Sequence, residues 1–509
     1  MRDELCAPIA LPDWVWKRAD TRVALRERRL GRLFRLARRY AGASQTRITI
    51  ATGISQGDVS KMISSDHQAM SIDVLERVAK GFQMPDQARL DLGVAPQEHS
   101  MTQSCDDRFG FAATIRNDWS GTQVSRPVPD YSVDWNVMLP RGRSLGGAAV
   151  AVQLHPATCT SETHVAITAH DTERLSQFVE VPRRGLLISA ETTSRGQRFF
   201  ALDAREGRRL LRHRPADQTT LSIPRAYELD DLTRGIMWAL ANADDGLLAE
   251  DQVLDEFRRE LAAHKRLPSS AVGQQAAQDL APVAQMWLGS NFCAGHILRN
   301  TADLNGVPLF WTREQRGEEA SAWLLFRHKY EYLCRTSEHF GGSAEPLIRA
   351  FCVPESAVRE SCTPERILLF LAVALMESLG IQVRICTEPD YSNVEGFVLL
   401  PRRQAIIANW LRSEGICHVD TTRQRSALRD FDDAAAHVGA HSVIHAPTPQ
   451  GRLTVLSEFL CLDWAWLRRR CRELGEYGAA GLARPSSRLV SVVGLDAACR
   501  YVGGLHPST

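Results

Sequence analysis

Gly53, Ser55 and Gly57, within "ATGISQGDVSKMI" (residues 51–63), fit the G-x-S-x-G spacing of a hydrolase nucleophile elbow, with Ser55 as the attacking oxygen. That chemistry needs a sharp strand-to-helix turn on a large sheet, so that the serine stands exposed beside a base. "TRITIA" (46–51) has the β-branched residues of a strand. Helical patterns lie on both sides of it, however, and residues 1–94 leave no room for a hydrolase-sized sheet. The same residues also suit a turn between two helices. Gly53 stands where the chain needs φ > 0, and Ser55 can cap the helix that follows. Val59, Met62 and Ile63 then fall on the inner face, and Gln56, Gly57, Ser60 and Lys61 on the outer face. Ser55 is expected as a cap, and no catalytic residue is assigned.

The flanking sequence supplies helices to hold such a turn. "RLGRLFRLARRYA" (29–41) places Leu33, Leu36, Ala37 and Tyr40 at helical spacing, with arginines on the other face. A second helix is expected from Gln45 to Thr52 and a third from Ser55 to about Ser64. "SIDVLERVAKGFQM" (71–84) makes a fourth through Ile72, Leu75, Val78 and Ala79, with Gly81 and Pro85 as stop signals. This helical domain is expected to end near Val94.

The run from Gln45 to Ile63 resembles the lambda-repressor-like, or XRE-type, helix-turn-helix DNA-binding domain, and the resemblance covers roughly residues 29–94. A glutamine opening the second helix, a glycine at the turn and a valine within the recognition helix are matched by Gln45, Gly53 and Val59. Thr49 and Thr52 depart from it, standing where a small alanine and an aliphatic residue are usual. The resemblance implies double-stranded DNA as partner, an operator of two half-sites and a homodimer to span them. In lambda-type repressors a second glutamine, at the place of Gln56, pairs with the first and reads adenine, whose N6 and N7 an amide can contact together. The expected DNA-binding residues are Gln45, Ser55, Gln56, Gly57, Ser60 and Lys61, with Arg38, Arg39 and Arg47 toward the backbone.

Charge distribution agrees with a polyanion partner for this end alone. The 509 residues carry a net +1, yet the first hundred carry +4 and the rest about −3. Eleven basic residues lie between Trp16 and Arg47 against Asp20 and Glu27. No apolar run is long enough to span a bilayer, and charges and a proline interrupt the first twenty residues, so no signal peptide is expected and the expected location is cytoplasmic. Twelve cysteines without a C-x-x-C are expected to be reduced. Cys293-Ala-Gly-His296 is the nearest approach to a metal pair, with Cys417-His418 as possible further ligands. A zinc site needs two such pairs at tight spacing, so no metal and no cofactor is assigned.

The length implies several domains, and the expected fold class is multidomain α+β. After the helix-turn-helix domain (1–94) come a polar linker (95–108), a β-rich domain (109–225), a helical region (226–345), a mixed α/β domain (346–422) and a helical C-terminal region (423–509). The β-rich stretch rests on "AAVAVQLH", "HVAITAH", "GLLISAE" and "RFFALD"; the mixed sheet rests on "LIRAFCV", "IQVRICTE", "EGFVLL", "QAIIANW" and "ICHVDTT" around the helix "PERILLFLAVALMESLG". Residues 346–422 also resemble the phospholipase-D-like halves of some regulators, but His328 and Lys329 of "FRHKYEYL" are adjacent and lack the required H-x-K spacing. "PRGRSLGG", with Arg141, Arg143, Gly146 and Gly147, is read as a hairpin loop in preference to a phosphate cradle. Arg384, Asp390, Tyr391, Asn409 and His418 are expected pocket-lining groups, and the Trp- and Leu-rich helices at 318–333 or 453–474 the dimerising surface. Two functions of different class follow. One is a transcription regulator whose body senses a small-molecule or protein effector. The other is an enzyme or defence effector that carries the helix-turn-helix domain for targeting or autoregulation. The absence of any spacing that announces a catalytic cluster favours the first.

Overall fold

Apolar residues at three- and four-residue intervals draw short helices around one core at the N-terminal end. These are α1 (Ala19–Arg26), α2 (Leu30–Tyr40), α3 (Gln45–Thr52), α4 (Gln56–Ser65), α5 (Ile72–Gly81) and α6 (Asp86–Leu92). The computed structural model describes residues 18–94 except 42 and 66–71, with 9, 11, 15 and 16. It also describes 133–137, and 148–506 apart from 169–178, 180–183, 194–195, 214–219, 265–266, 268, 274–279, 314–316 and 411–414. The expected linker and the "PRGRSLGG" loop lie outside the described residues. By its internal contacts the chain divides into two units, the first built on these helices and the second on most of residues 149–509.

In the first unit Leu25, Leu33, Phe34, Ala37, Ile48, Val59, Leu75, Val78 and Leu92 bury together. α3 runs from Gln45 to Thr52 as expected, and α2, α4 and α5 agree within a few residues. α5 ends at Gly81, before Pro85, as expected, and Pro85 then opens a further helix: its carbonyl accepts from the N–H groups of Ala88 and Arg89, starting α6. Proline suits that place because the first turn needs no N–H from it. Asp91 of α6 then accepts Arg22 Nε and Arg26 Nε of α1 at 2.9 and 3.0 Å. Part of the basic block is therefore neutralised within the fold, as is Arg29 by Glu27 at 2.9 Å.

In the second unit β1 (Val133–Val137), β2 (Ala148–Thr160), β3 (His164–Thr168), β4 (Gly185–Thr193), β5 (Gly196–Asp203) and β6 (Thr220–Pro224) form one sheet in the order β5-β4-β2-β3-β6, with β1 also on β2. The long β2 serves two partners in turn, pairing parallel with β4 along Ala151–Pro156 and antiparallel with β3 beyond Ala157. Helix α7 (Ala204–Arg212), capped by Asp203, interrupts what reads as continuous β sequence.

Helices α8 (Asp231–Ala249), α9 (Asp251–His264) and α10 (Pro282–Thr301) follow, with β7 (Ser270–Gly273) and β8 (Leu309–Thr312) between and after them. The stretch 318–333 is not one helix. It breaks at Phe326, which has extended backbone (φ −74°, ψ 118°) and bridges to Val490, leaving α11 (Gly317–Leu325) and α12 (Arg327–Phe340). Then come β9 (Ile348–Cys352), α13 (Glu355–Glu360), α14 (Thr363–Ser378), β10 (Gln382–Cys386), β11 (Phe397–Leu400), β12 (Gln404–Asn409) and β13 (Gly415–Thr422). The sheet is mixed as expected, in the order β10-β9-β8-β11-β12-β13-β7. It reaches back before residue 346 by recruiting β7 and β8. The remaining helices are α15 (Arg425–His441), α16 (Pro449–Phe459), α17 (Trp464–Tyr477) and α18 (Val493–Gly504).

Alternation sorts this sheet into two faces. Trp311, Ala350, Phe397, Leu399, Ala405 and Ile407 pack on the α15 stripe Leu428, Phe431, Ala434 and Val438. Phe310, paired with Arg349 and Val398, points the other way. The helices expected to dimerise are consumed by this unit. Trp323, Leu333, Leu453, Leu467 and Leu474 are buried within it, so their apolar faces are not available to a second copy.

His328 on α12 gives this interior a pH dependence. Its Nε2 lies 2.9 Å from Ser290 Oγ, its ring meets Trp287 edge-on at 5.5 Å, and its Nδ1 is enclosed without a partner. Burial, with help from the Lys329 charge, pushes its pKa well below the ordinary histidine value; burial also lowers His155 and His296. The unfolded chain thus binds more protons than the folded one once pH drops below about 6.5, and stability is lost as pH falls. Urea unfolding between pH 7 and 5 should show this loss. His328→Gln should flatten the profile, by at most about 1.4 kcal/mol per pH unit for one histidine; an unchanged profile would refute the assignment.

Candidate nucleic-acid interface

The turn between α3 and α4 is built by local hydrogen bonds. Ser44 Oγ accepts the Arg47 N–H at 3.1 Å and caps α3. Gly53 ends α3 in the left-handed region at φ +64°, its N–H on the Thr49 carbonyl at 2.8 Å. A side chain there would be strained, which is why glycine stands at this turn. Ser55 Oγ accepts the Asp58 N–H at 3.2 Å and donates to Asp58 Oδ2 at 2.6 Å, so the hydroxyl is engaged as a helix cap. "TRITIA" is helix, so the strand a nucleophile elbow needs does not precede Ser55. Thr52, departing from the usual aliphatic, is 2% exposed and turns its hydroxyl back to the Ile48 carbonyl at 2.7 Å.

Two longer-range contacts hold this turn in place. Arg77 of α5 donates to the Gly53 carbonyl at 2.8 Å, and Arg35 of α2 to the Ile63 carbonyl near the end of α4 at 2.6 Å. Backbones also approach very closely. A Cβ on Gly31 of α2 would stand 1.9 Å from the Met62 carbonyl oxygen, and one on Gly81 of α5 2.4 Å from that of Ala51. Of these four residues only Gly81 stood out in the sequence, as a helix stop signal and not as a point of close approach. The available signal was an isolated glycine inside a helical pattern, "RLGRLF", which often marks close packing.

On α4, Val59 is buried and Met62 and Ile63 are half-buried, while Gln56, Gly57, Ser60 and Lys61 are exposed, as the helical period requires. Ser55 is exposed at its start. Asp58, the only acid in α4, is also exposed and is held by Ser55. Arg38 and Arg39 are exposed on the last turn of α2, with Arg39 over the Tyr40 ring at 5.4 Å. Arg47 is half-buried, its Nε enclosed without a partner. Gln45 is half-buried at the start of α3, and no hydrogen bond joins it to Gln56.

Of the expected pocket residues in the second unit, Asn409 of β12 pairs with His418 of β13 and lines a cavity, His418 lies 3.4 Å from Glu395, and Tyr391 stacks on His437 at 4.2 Å. Cys293 stands in the same cavity wall, Cys417 is buried on β13, and His296 is buried on α10. Among the described residues no three His, Cys, Asp or Glu side chains converge as a metal site, and no helix is long and apolar enough to cross a membrane. No protein-family model, curated protein or solved structure matches the chain.

The packing under α4 is open to test. Gly31→Ala forces the α2–α4 approach apart and should lower the local stability of residues 30–65 by about 1–3 kcal/mol. Gly57→Ala, whose methyl would meet only Ser55 Oγ at 3.9 Å, should leave it unchanged or slightly raised. Amide hydrogen exchange of the full chain reads both; equal protection in the two variants contradicts the close-approach account.

Proposed function

We propose that the chain is a sequence-specific, DNA-binding transcriptional regulator of the lambda-repressor-like kind. In this reading α3 and α4 form the reader, and the second unit pairs two copies and receives an effector. The observation that carries it is the division of α4: a buried Val59, a capped and clamped start, and an exposed row of Gln56, Gly57, Ser60 and Lys61. Side chains that are short or amide-bearing, presented by a helix its neighbours hold rigidly, suit contact with base edges in a major groove. Arg38 and Arg39, one helix away and exposed, suit phosphates. Ion pairing of Arg22, Arg26 and Arg29 within the fold reduces the number of arginines available to DNA.

The test begins with duplexes selected from a random pool by the full chain, then measures affinity by anisotropy against salt. Gln56→Ala should cost about 1–3 kcal/mol on the selected site and relax base choice at one position. Arg38→Ala should weaken all duplexes alike and reduce the log–log salt slope by about one. A Gln56→Ala protein with unchanged affinity and specificity removes α4 as the reader.

A further inference from the structure

Buried arginines in the second unit come with carboxylates. Arg452 is paired with Glu377 through two bonds of 2.8 and 2.6 Å. Arg470 meets Asp230 at 2.5 Å and also Glu473. Arg184 meets Asp245 at 2.9 Å and also Asp244.

Arg349 does not follow this pattern. It lies within the mixed sheet on β9, 3% exposed, and no carboxylate among the described residues comes within 4.0 Å. Its Nη1 donates to Thr312 Oγ1 at 2.7 Å and its Nη2 to the Tyr332 hydroxyl at 3.1 Å, while its Nε has no partner in the chain. The guanidinium lies over Trp323, 4.7 Å from the ring centroid, and Lys329 Nζ lies 3.5 Å from the same centroid. Lys329 is itself 4% exposed. Two buried cations thus share one indole. Cation–π contacts contribute about 0.5–2 kcal/mol each, whereas taking an ion out of water costs several. For Arg349, two neutral hydroxyls and the ring faces around it do not balance that cost; an anion does.

Both cations line one cavity of about 50 Å³, partly open to solvent, together with Trp311, Trp323, Asn409 and Trp410. The indole N–H groups of Trp311 and Trp323 are buried without partners, as is Arg349 Nε. A volume equal to a few water molecules admits a compact group and leaves any larger remainder outside.

We propose that this cavity is an oxyanion-binding site, with Arg349 as the counter-ion and the surrounding indoles as its walls. The ligand is a phosphate or a small carboxylate, free or as the anionic head of a larger molecule. A planar guanidinium with an unused N–H suits either head. An anion held here could be the effector of the regulator. That role rests on the proposed DNA-binding function; the binding itself does not.

The experiment uses the full chain without DNA, so the two readings fail separately. Inorganic phosphate and acetate are titrated while tryptophan fluorescence and the thermal unfolding midpoint are followed. Acetamide and sodium chloride at matched ionic strength serve as the neutral and salt controls. A saturable response to phosphate or acetate, absent with both controls, is expected, and the anion that responds identifies the head. Arg349→Gln should weaken binding by about tenfold or more, with Arg349→Lys between it and the parent. If Arg349→Gln does not fold, the parent chain with its acetamide arm decides alone. No saturable response to either anion, an equal response to acetamide, or unchanged affinity in a folded Arg349→Gln overturns the site.

Discussion

A charge taken into a protein interior must meet an opposite charge there or remain costly, and the second unit is organised around that constraint. Its buried arginines are fixed points between segments far apart in the chain. Arg452 of α16 is tied to Glu377 of α14, whose carboxylate also accepts the Val383 N–H at 2.9 Å and so sets where β10 begins. Arg470 of α17 reaches back to Asp230, which caps α8, and donates to the Ala226 carbonyl at 3.0 Å. Each pair orders more backbone than the two residues that make it.

The segment after α17 is held the same way. Asp203, the cap of α7, accepts the Arg484 N–H at 2.9 Å, and buried Asp244 accepts the N–H groups of Ser486 and Ser487 at 2.8 and 2.6 Å. Tyr227 donates to the Gly478 carbonyl at 2.9 Å. The first sheet, the middle helices and the C-terminal helices therefore share hydrogen bonds across more than two hundred residues of sequence. Composition shifts at 225 or 345 mark changes of local structure. They do not mark the borders of independent cores.

Legibility followed the range of the interactions. The expected strands are present, because each alternates or runs apolar within a few residues, and α14 shows both its apolar run and the φ +75° glycine that ends it. The arrangement of α4 was also readable. Its inward Val59 and outward Gln56, Ser60 and Lys61 depend only on a 3.6-residue period, and its cap on a serine three residues before Asp58. α1 was hidden among arginines, two of which bind an aspartate in α6. The four-residue strands β7 and β8 are too short to carry a period, and become strands only because β13, β9 and β11 offer edges. The break at Phe326 comes from a bridge to Val490, which no local pattern records.

Arg349 is the clearest case of information absent from local sequence. "LIRAFCV" reads as a buried strand with one charge in it, and the usual resolution is an edge position or an arginine that reaches solvent along its stem. Which face the arginine takes depends on register: pairing of Phe310 with Arg349 on one side of β8 and with Val398 on the other places it opposite Trp311 and Ala350, away from the α15 layer. Whether a carboxylate awaits it there depends on α10, α11 and α12, whose described residues supply Ser290, Trp323, Lys329 and Tyr332, and no acid, to the cavity wall. The turn before α4 and the division of its faces are written within about twenty residues of chain, so a local pattern can stand for them. The cavity draws on residues 290–410 and on three helices and four strands, so its chemistry exists only once the sheet has chosen its register.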